Sequence, residues 1–341
     1  MKKIIKALFD SSRLELVNNW LHLILEGHDF TLTDLAADAG ARRYFRVTLA
    51  NKTSLVLMDA PTEYNDARQF TLMAEMLASN GINVPIIKHT NFDDGLLLLS
   101  DLGDDTYLKS LNNENANQLF EDATTALVKI QTIGARNLLN SYSAELMNQE
   151  LKLFDDWYIQ KHLEIKLDKK TQESLKNILQ LITARCISQS EVLVHRDFMP
   201  RNLMICDDNP GVLDFQDARV GPISYDVISL FKDAFISWDE EQILDWTIRY
   251  WEKARKASLP VPLDFGDFYK DIEWMGLQRH LKVLGIFSRL KHRDGKDHYI
   301  SDAPRFLAYV RDVAQRYRAL NPLIKILNEI ERTTPKIGHT F

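Results

Sequence analysis

The stretch His195-Arg196-Asp197-Phe198-Met199-Pro200-Arg201-Asn202, with Leu213-Asp214-Phe215-Gln216 shortly after it, breaks a region of otherwise helical periodicity. Around it lie three small apolar runs, Val192-Leu193-Val194, Leu203-Met204-Ile205 and Val212-Leu213, each bounded by polar residues. Runs this short, set between turn-forming residues, predict short strands joined by tight loops. Asp197 then stands at the start of one loop, Asn202 five residues on and Asp214 on the next hairpin. Two carboxylates and a side-chain amide offered from such loops are hard oxygen donors and proton acceptors, the equipment of a chemical site.

The spacing matches the H-R-D-x-x-x-x-N catalytic loop of the protein-kinase fold, with Asp214-Phe215 in the place of D-F-G. Phosphoryl transfer requires a carboxylate that orients the attacking hydroxyl and accepts its proton, together with oxygen ligands for the metal that bridges the phosphates. Asp197 is therefore expected to be the base, and Asn202 and Asp214 to hold Mg²⁺ beside ATP. His195 and Arg196 are expected to serve the loop's structure rather than the chemistry. Tyr225-Asp226-Val227-Ile228-Ser229-Leu230 reads as the start of a helix whose Asp226 supports the loop from behind. Asp226 follows Asp214 by only twelve residues, which leaves no room for an activation loop and disfavours a protein substrate.

Outward from this segment the chain changes character in both directions. Leu14, Val17, Trp20, Leu21 and Ile24 recur at helical spacing after an apparent capping box at Ser12 and Glu15. From about 29 to 59 short alternating runs predict a β-meander. A helix from about 64 to 79 follows, then strands near 83 to 89 and 95 to 101. Beyond Asp101-Leu102-Gly103 the pattern is helical, over roughly 115 to 133, 143 to 163, 170 to 188, 238 to 257 and 268 to 291. The fold class predicted is α+β and bilobal, a small mixed sheet over 1–102 that binds nucleotide and a mainly helical part over 103–341 that carries catalysis and the acceptor.

The composition suits this. A chain of 341 residues that is 45% hydrophobic exceeds one ordinary core. Its net charge of −6 argues against a phosphate-backbone binder, so no nucleic acid partner is expected. Cys186 and Cys206 have no clustered Cys or His neighbours, which fits a reducing cytoplasm. No apolar run reaches the roughly 18 residues of a membrane span, and the N-terminal apolar stretch is broken by Lys6 and Asp10.

Arg42-Arg43-Tyr44-Phe45-Arg46-Val47, Leu57-Met58-Asp59-Ala60-Pro61, Leu99-Ser100-Asp101-Leu102-Gly103, the 195–202 loop and Gly276-Leu277-Gln278-Arg279-His280-Leu281-Lys282 together resemble the aminoglycoside-phosphotransferase-like superfamily. More narrowly, they look like its anomeric N-acetylmuramate/N-acetylglucosamine kinases of cell-wall recycling. The resemblance implies ATP-dependent phosphorylation of the anomeric hydroxyl to the 1-phosphate, with nucleotide contacts from Arg43, Arg46, Val47, Ser100, Asp101 and Gly103. Met58 stands where the phosphate-gripping lysine of V-A-I-K belongs, so Arg43 or Arg46 is expected to supply that charge, with Glu75 as a possible orienting partner and Arg42 on a solvated face. The loop before it has only Gly40 in place of three glycines. Asp217 and the basic helix positions Arg279, Lys282 and Arg289 are expected at the acceptor, where a cation would pair the lactyl carboxylate of N-acetylmuramate. The competing readings are another small-molecule hydroxyl kinase, of aminoglycoside, choline or homoserine type, and a kinase-like binding protein.

Overall fold

The computed structural model describes residues 2–35, 42–62, 67–135 and 137–333. Gly40 and residues 64–66, at the expected start of the second helix, lie outside them. The chain forms two compact units, Met1–Asp105 with Met204–Gln216, and Thr106–Leu203 with Asp217–Phe341. The hairpin that carries Asp214 thus belongs to the first unit, whereas the division at 102/103 groups it with the second.

In the first unit α1 (Lys2–Ile24) is followed by β1 (Phe30–Leu35), β2 (Arg43–Leu49), β3 (Ser54–Asp59), α2 (Ala67–Ser79), β4 (Ile87–Asn91) and β5 (Leu96–Ser100). The strands make one sheet in the order β1-β2-β3-β5-β4, and every neighbouring pair is antiparallel. The expectation of a mixed sheet is corrected here. β3 and β4, joined through α2, run the same way, but β5 inserts between them and pairs antiparallel with both.

Period-two alternation turns Phe45, Val47, Leu57, Leu96 and Leu98 toward one cluster with Val17, Trp20, Leu21 and Leu25. Phe45, Leu57 and Leu98 lie in one cross-strand row, and Val17, Trp20 and Leu21 meet them at i, i+3, i+4 spacing. Each fully buried side chain of this kind contributes about 2 kcal/mol of transfer free energy. Ser12 and Glu15 do not cap this helix, because α1 is already helical from Lys2. A Ser-x-x-Glu pattern caps only where the preceding backbone is not helical, and the apolar residues before Ser12 continue the helix instead.

The second unit is helical around short strands. It comprises α3 (Tyr107–Ser110), α4 (Ala116–Thr132), α5 (Ala144–Leu153) continuing as π-helical Phe154–His162, α6 (Lys169–Ile187) and β6 (Glu191–Val194). Next in the chain come the paired β7 (Leu203–Met204) and β8 (Gly211–Val212), of which Met204–Gln216 belongs to the first unit, and then β9 (Arg219–Pro222) of the second, which is antiparallel to β6. Helices α7 (Tyr225–Phe231), α8 (Glu240–Lys256), α9 (Phe265–Asp294), α10 (Ala303–Arg316) and α11 (Asn321–Thr333) complete it. The 30-residue α9 is capped by Asp264, whose side chain accepts from the Asp267 N–H, and it ends at left-handed Gly295. At Gly285 a Cβ would fall 2.3 Å from the Leu153 backbone, so only glycine lets α9 approach the end of α5 this closely. One and two turns earlier on the same face stand Lys282 and Gln278, which the approach brings against Glu150 of α5.

Candidate functional site

The loop after β6 is held by its own backbone. Both carboxylate oxygens of Asp226, in the first turn of α7, accept main-chain N–H groups, from His195 at 2.7 Å and Arg196 at 3.0 Å. Asp226 is fully buried, and burial pushes its carboxyl up to about 7 against those two bonds and the nearby Arg279 charge. The Asp197 N–H donates to His195 Nδ1 at 3.3 Å, and the Asp197 carbonyl accepts from Asn202 Nδ2 at 2.9 Å. The backbone of Asp197 is therefore fastened on both sides, which fixes where its half-buried carboxylate points. His195 is buried and serves the loop, as the sequence suggested.

Arg196 has φ +76 and Asp214 φ +63. A non-glycine residue in the left-handed region is costly and persists only where its surroundings over-determine it, which is characteristic of functional loops. For Arg196 those surroundings are explicit. Its guanidinium meets Glu150 at 2.8 Å and lies over the Tyr142 ring, 5.2 Å from its centre. Glu150 in turn accepts from Tyr142 and from Gln278, and pairs Lys282 at 3.3 Å. Burial raises the Glu150 carboxyl, but Lys282, the Tyr142 hydroxyl and Arg196 outweigh it and hold it below the usual carboxylate range. Arg279 Nη1 reaches the Arg196 carbonyl and the Tyr225 hydroxyl, each at 3.3 Å, and Lys282 Nζ donates to the same hydroxyl at 2.8 Å.

This corrects the placement of the basic helix face. Arg279 and Lys282 are buried and already hydrogen-bonded beneath the 195–202 loop, while Arg289, about two turns beyond Lys282, is half-buried. Two of the three residues expected to grip a substrate carboxylate are committed to holding the loop. Asp217 is exposed.

The arginines of the first unit are equally committed. Arg43 lies directly opposite Asp59 in the β2–β3 register, and its guanidinium bonds Asp59 Oδ2 at 2.6 and 3.0 Å. Arg13 of α1 takes the other oxygen at 2.7 and 3.0 Å. Arg46 forks onto Asp101 at 2.6 and 3.2 Å, reaches Asp104 at 2.7 Å, and donates to the Gly103 carbonyl at 3.1 Å. The carboxylate pair holds the guanidinium firmly charged, Asp101 contributing most. Arg43 thus locks the sheet and Arg46 clamps the Ser100–Gly103 segment. The acidic partners are Asp59, Asp101 and Asp104, while Glu75 is exposed on α2.

Val47 is corrected as well. It is fully buried in the cluster with α1, so its side chain packs the core instead of meeting a nucleotide. Within 100–103, Ser100 Oγ accepts the Ile86 N–H at 2.8 Å, Asp101 Oδ1 accepts the Gly103 N–H at 2.9 Å, and Gly103 adopts φ +91. The side chains of this segment are spent on its own shape. Glu150, Tyr142 and Arg13 escaped the sequence reading, since none stands in a motif, and Asp59 was given no role although its segment was, because each acts through a partner distant along the chain.

Metal chemistry fits the donors present. Asn202 and Asp214 offer hard oxygens, and Gln216 Nε2 steadies Asp214 Oδ1 at 2.7 Å. No group of three or more His, Cys, Asp or Glu among the described residues could hold a metal by itself. Oxygens of this kind are what Mg²⁺ takes in nucleotide sites, beside phosphate and water.

Among known proteins, the model of the phosphotransferase enzyme family, APH, matches residues 31–261. The chain is 44% identical over 318 residues to the N-acetylmuramate/N-acetylglucosamine kinase of Neisseria meningitidis serogroup B, covering 92% of this chain and 95% of that one. It is 43% identical over 328 residues to the kinase of the same name from Pseudomonas aeruginosa, covering 93% and 97%. Among solved structures, the amicoumacin kinase hAmiN in complex with AMP-PNP and Ca²⁺ superposes with a TM-score of 0.63 at 16% identity, covering 98% of this chain and 97% of that one. A choline/ethanolamine kinase family protein from Mesorhizobium loti gives 0.63 at 12% identity, with 94% and 99% covered. These two likenesses confirm the kinase-like α+β fold. With the catalytic loop built as described and the family model spanning more than half of its length, the chain belongs to the APH phosphotransferase enzyme family.

Proposed function

We propose that this protein is an ATP-dependent kinase of N-acetylmuramate and N-acetylglucosamine that transfers the phosphoryl group to the anomeric hydroxyl. The observation that carries the reading is identity of 43 to 44% with two kinases of that name over more than nine-tenths of the chain. The backbone of Ser100–Gly103 in the first unit would hold the nucleotide, and Asn202 and Asp214 would each offer an oxygen to its Mg²⁺. Bound ATP with Mg²⁺ supplies the phosphoryl group and neutralises charge on the phosphates. Asp197 orients the C1 hydroxyl and takes its proton as the bond from that oxygen to phosphorus forms and the bond to the departing ADP breaks. Asp226, Asn202 and His195 hold Asp197 in place before substrate arrives, so little reorganisation is left to the chemical step. A cytoplasmic setting, where ATP is available, agrees with this chemistry. No helix among the described residues is long and apolar enough to cross a membrane.

The test is incubation of the purified protein with ATP, Mg²⁺ and either sugar. The expected product is an acid-labile sugar 1-phosphate, and the 1-O-methyl glycoside should be inert. Phosphorylation of that glycoside at an unchanged rate would move the chemistry to another carbon, and turnover of choline or an aminoglycoside in preference to both sugars would replace the substrate class.

A further inference from the structure

We propose that Asp233, just beyond α7, is a substrate-binding residue that accepts hydrogen bonds from a hydroxyl or acetamido N–H of the sugar and so holds the acceptor against Asp197. The inference rests on the amino-sugar kinase reading and names the protein's own group for it. Asp233 is only 1% exposed. Its Oδ1 meets no donor among the described residues, and the Phe235 N–H reaches Oδ2 only at 3.4 Å. A buried carboxylate oxygen left without a donor is costly, so such groups persist where a ligand completes them.

The segment is tied to the catalytic loop from two sides. Arg201 of the loop lies over the Phe235 ring at 5.3 Å. Arg279, whose Nη1 is 3.3 Å from the Arg196 carbonyl, feels the negative charge of both Asp197 and Asp233. Asp233 and the catalytic carboxylate therefore both act on the charge of one guanidinium. Asp233 forms no ion pair with that guanidinium among the described residues, which leaves its hydrogen-bonding capacity for another donor. Burial pushes its carboxyl up, and the Ala234 N–H and the Arg279 charge pull it back. The hydroxyl and acetamido groups of an amino sugar suit this position because they are neutral donors. α7 thus serves twice, with Asp226 at one end fixing the loop and Asp233 past the other meeting the acceptor.

The test compares wild type with Asp233→Asn and Asp233→Ala on N-acetylglucosamine and on its single-deoxy analogues, with melting temperature and the KM for ATP measured in parallel. The expected result is a KM for N-acetylglucosamine raised about 10-fold or more, an ATP KM unchanged, and one deoxy analogue on which variant and wild type converge because the donor is missing from the sugar. An unchanged sugar KM in the folded Asn variant would overturn the assignment. So would equal losses on every analogue accompanied by a raised ATP KM, the pattern of a scaffold residue. If Asp233→Ala does not fold, the near-isosteric Asn variant decides. Wild-type protein that phosphorylates neither amino sugar would instead remove the kinase reading, and this inference with it.

Discussion

Arg43 and Arg46 in the first unit and Arg196, Arg279 and Lys282 in the second are all hydrogen-bonded cations, yet they find their partners in different ways. Arg43 meets Asp59 because the two are directly opposite on adjacent strands, and Arg46 meets Asp101 just past the end of the same sheet. Strand register creates the first pair, and the end of β5 brings Asp101 within reach of β2 for the second. In the second unit the partners are 30 to 83 residues apart, brought together by packed helices: Asp226 on Arg196, Glu150 on Arg196, Tyr225 under Lys282, Arg279 on the Arg196 carbonyl. The first arrangement stabilises a sheet, and the second holds a left-handed loop residue next to a reactive carboxylate. Removing a member should therefore cost stability in one unit and turnover in the other.

The largest expected effect is that of Asp197→Asn, which removes the proton acceptor while the bonds to its backbone remain. Turnover should fall by about 10³-fold with melting unchanged, and near-normal kcat in the folded variant would take Asp197 out of the mechanism. Asp59→Ala reverses the pattern. It leaves Arg13 and Arg43 without their shared carboxylate, for a loss of about 3 kcal/mol in unfolding free energy, read by denaturant titration. A variant as stable as wild type would show that the sheet does not depend on this triad.

Lys282→Ala and Arg279→Ala come next. Because both residues hold the loop, kcat/KM should drop by roughly 10-fold on N-acetylmuramate and on N-acetylglucosamine alike. A loss confined to N-acetylmuramate would restore the carboxylate-gripping role that the sequence suggested.

Acid should weaken the second unit through His280. This ring is buried against Phe306 and Tyr309, with centroids 5.4 and 5.0 Å away, and burial, Lys232 and Arg279 push its pKa well below the ordinary 6.5. The unfolded chain therefore takes up the proton first, so the contribution is intact above about pH 6.5 and is lost as pH falls below it. Melting temperature measured from pH 7.5 to 5 should decline below that point, and His280→Phe should flatten the decline. Arg46→Ala is expected to have the smallest effect, a few-fold rise in the KM for ATP, since Asp104 is largely exposed and the pair is partly solvated.

The sequence by itself determined the α+β class, with a strand-rich first part followed by helices, and the spacing of the 195–202 loop. Those features are written in local periodicity and in residue spacing over fewer than ten positions, and neither depends on what is folded against them. Helix α1 was read from its second half only, and the capping box at Ser12 was a local signal overruled by the helix preceding it. The sheet was expected to be mixed because pattern gives strands without giving the order in which they pair. Only the tertiary structure decided that β5 enters between β3 and β4, that Val47 faces α1, and that Arg279 and Lys282 point inward beneath the loop. A helical wheel shows which side chains share a face, whereas the packing at Gly285 that brings α9 onto α5 decides what that face meets. Charge in a sequence marks a residue that needs a partner, and only the fold supplies the partner, because the contacts that neutralise it lie tens of residues away.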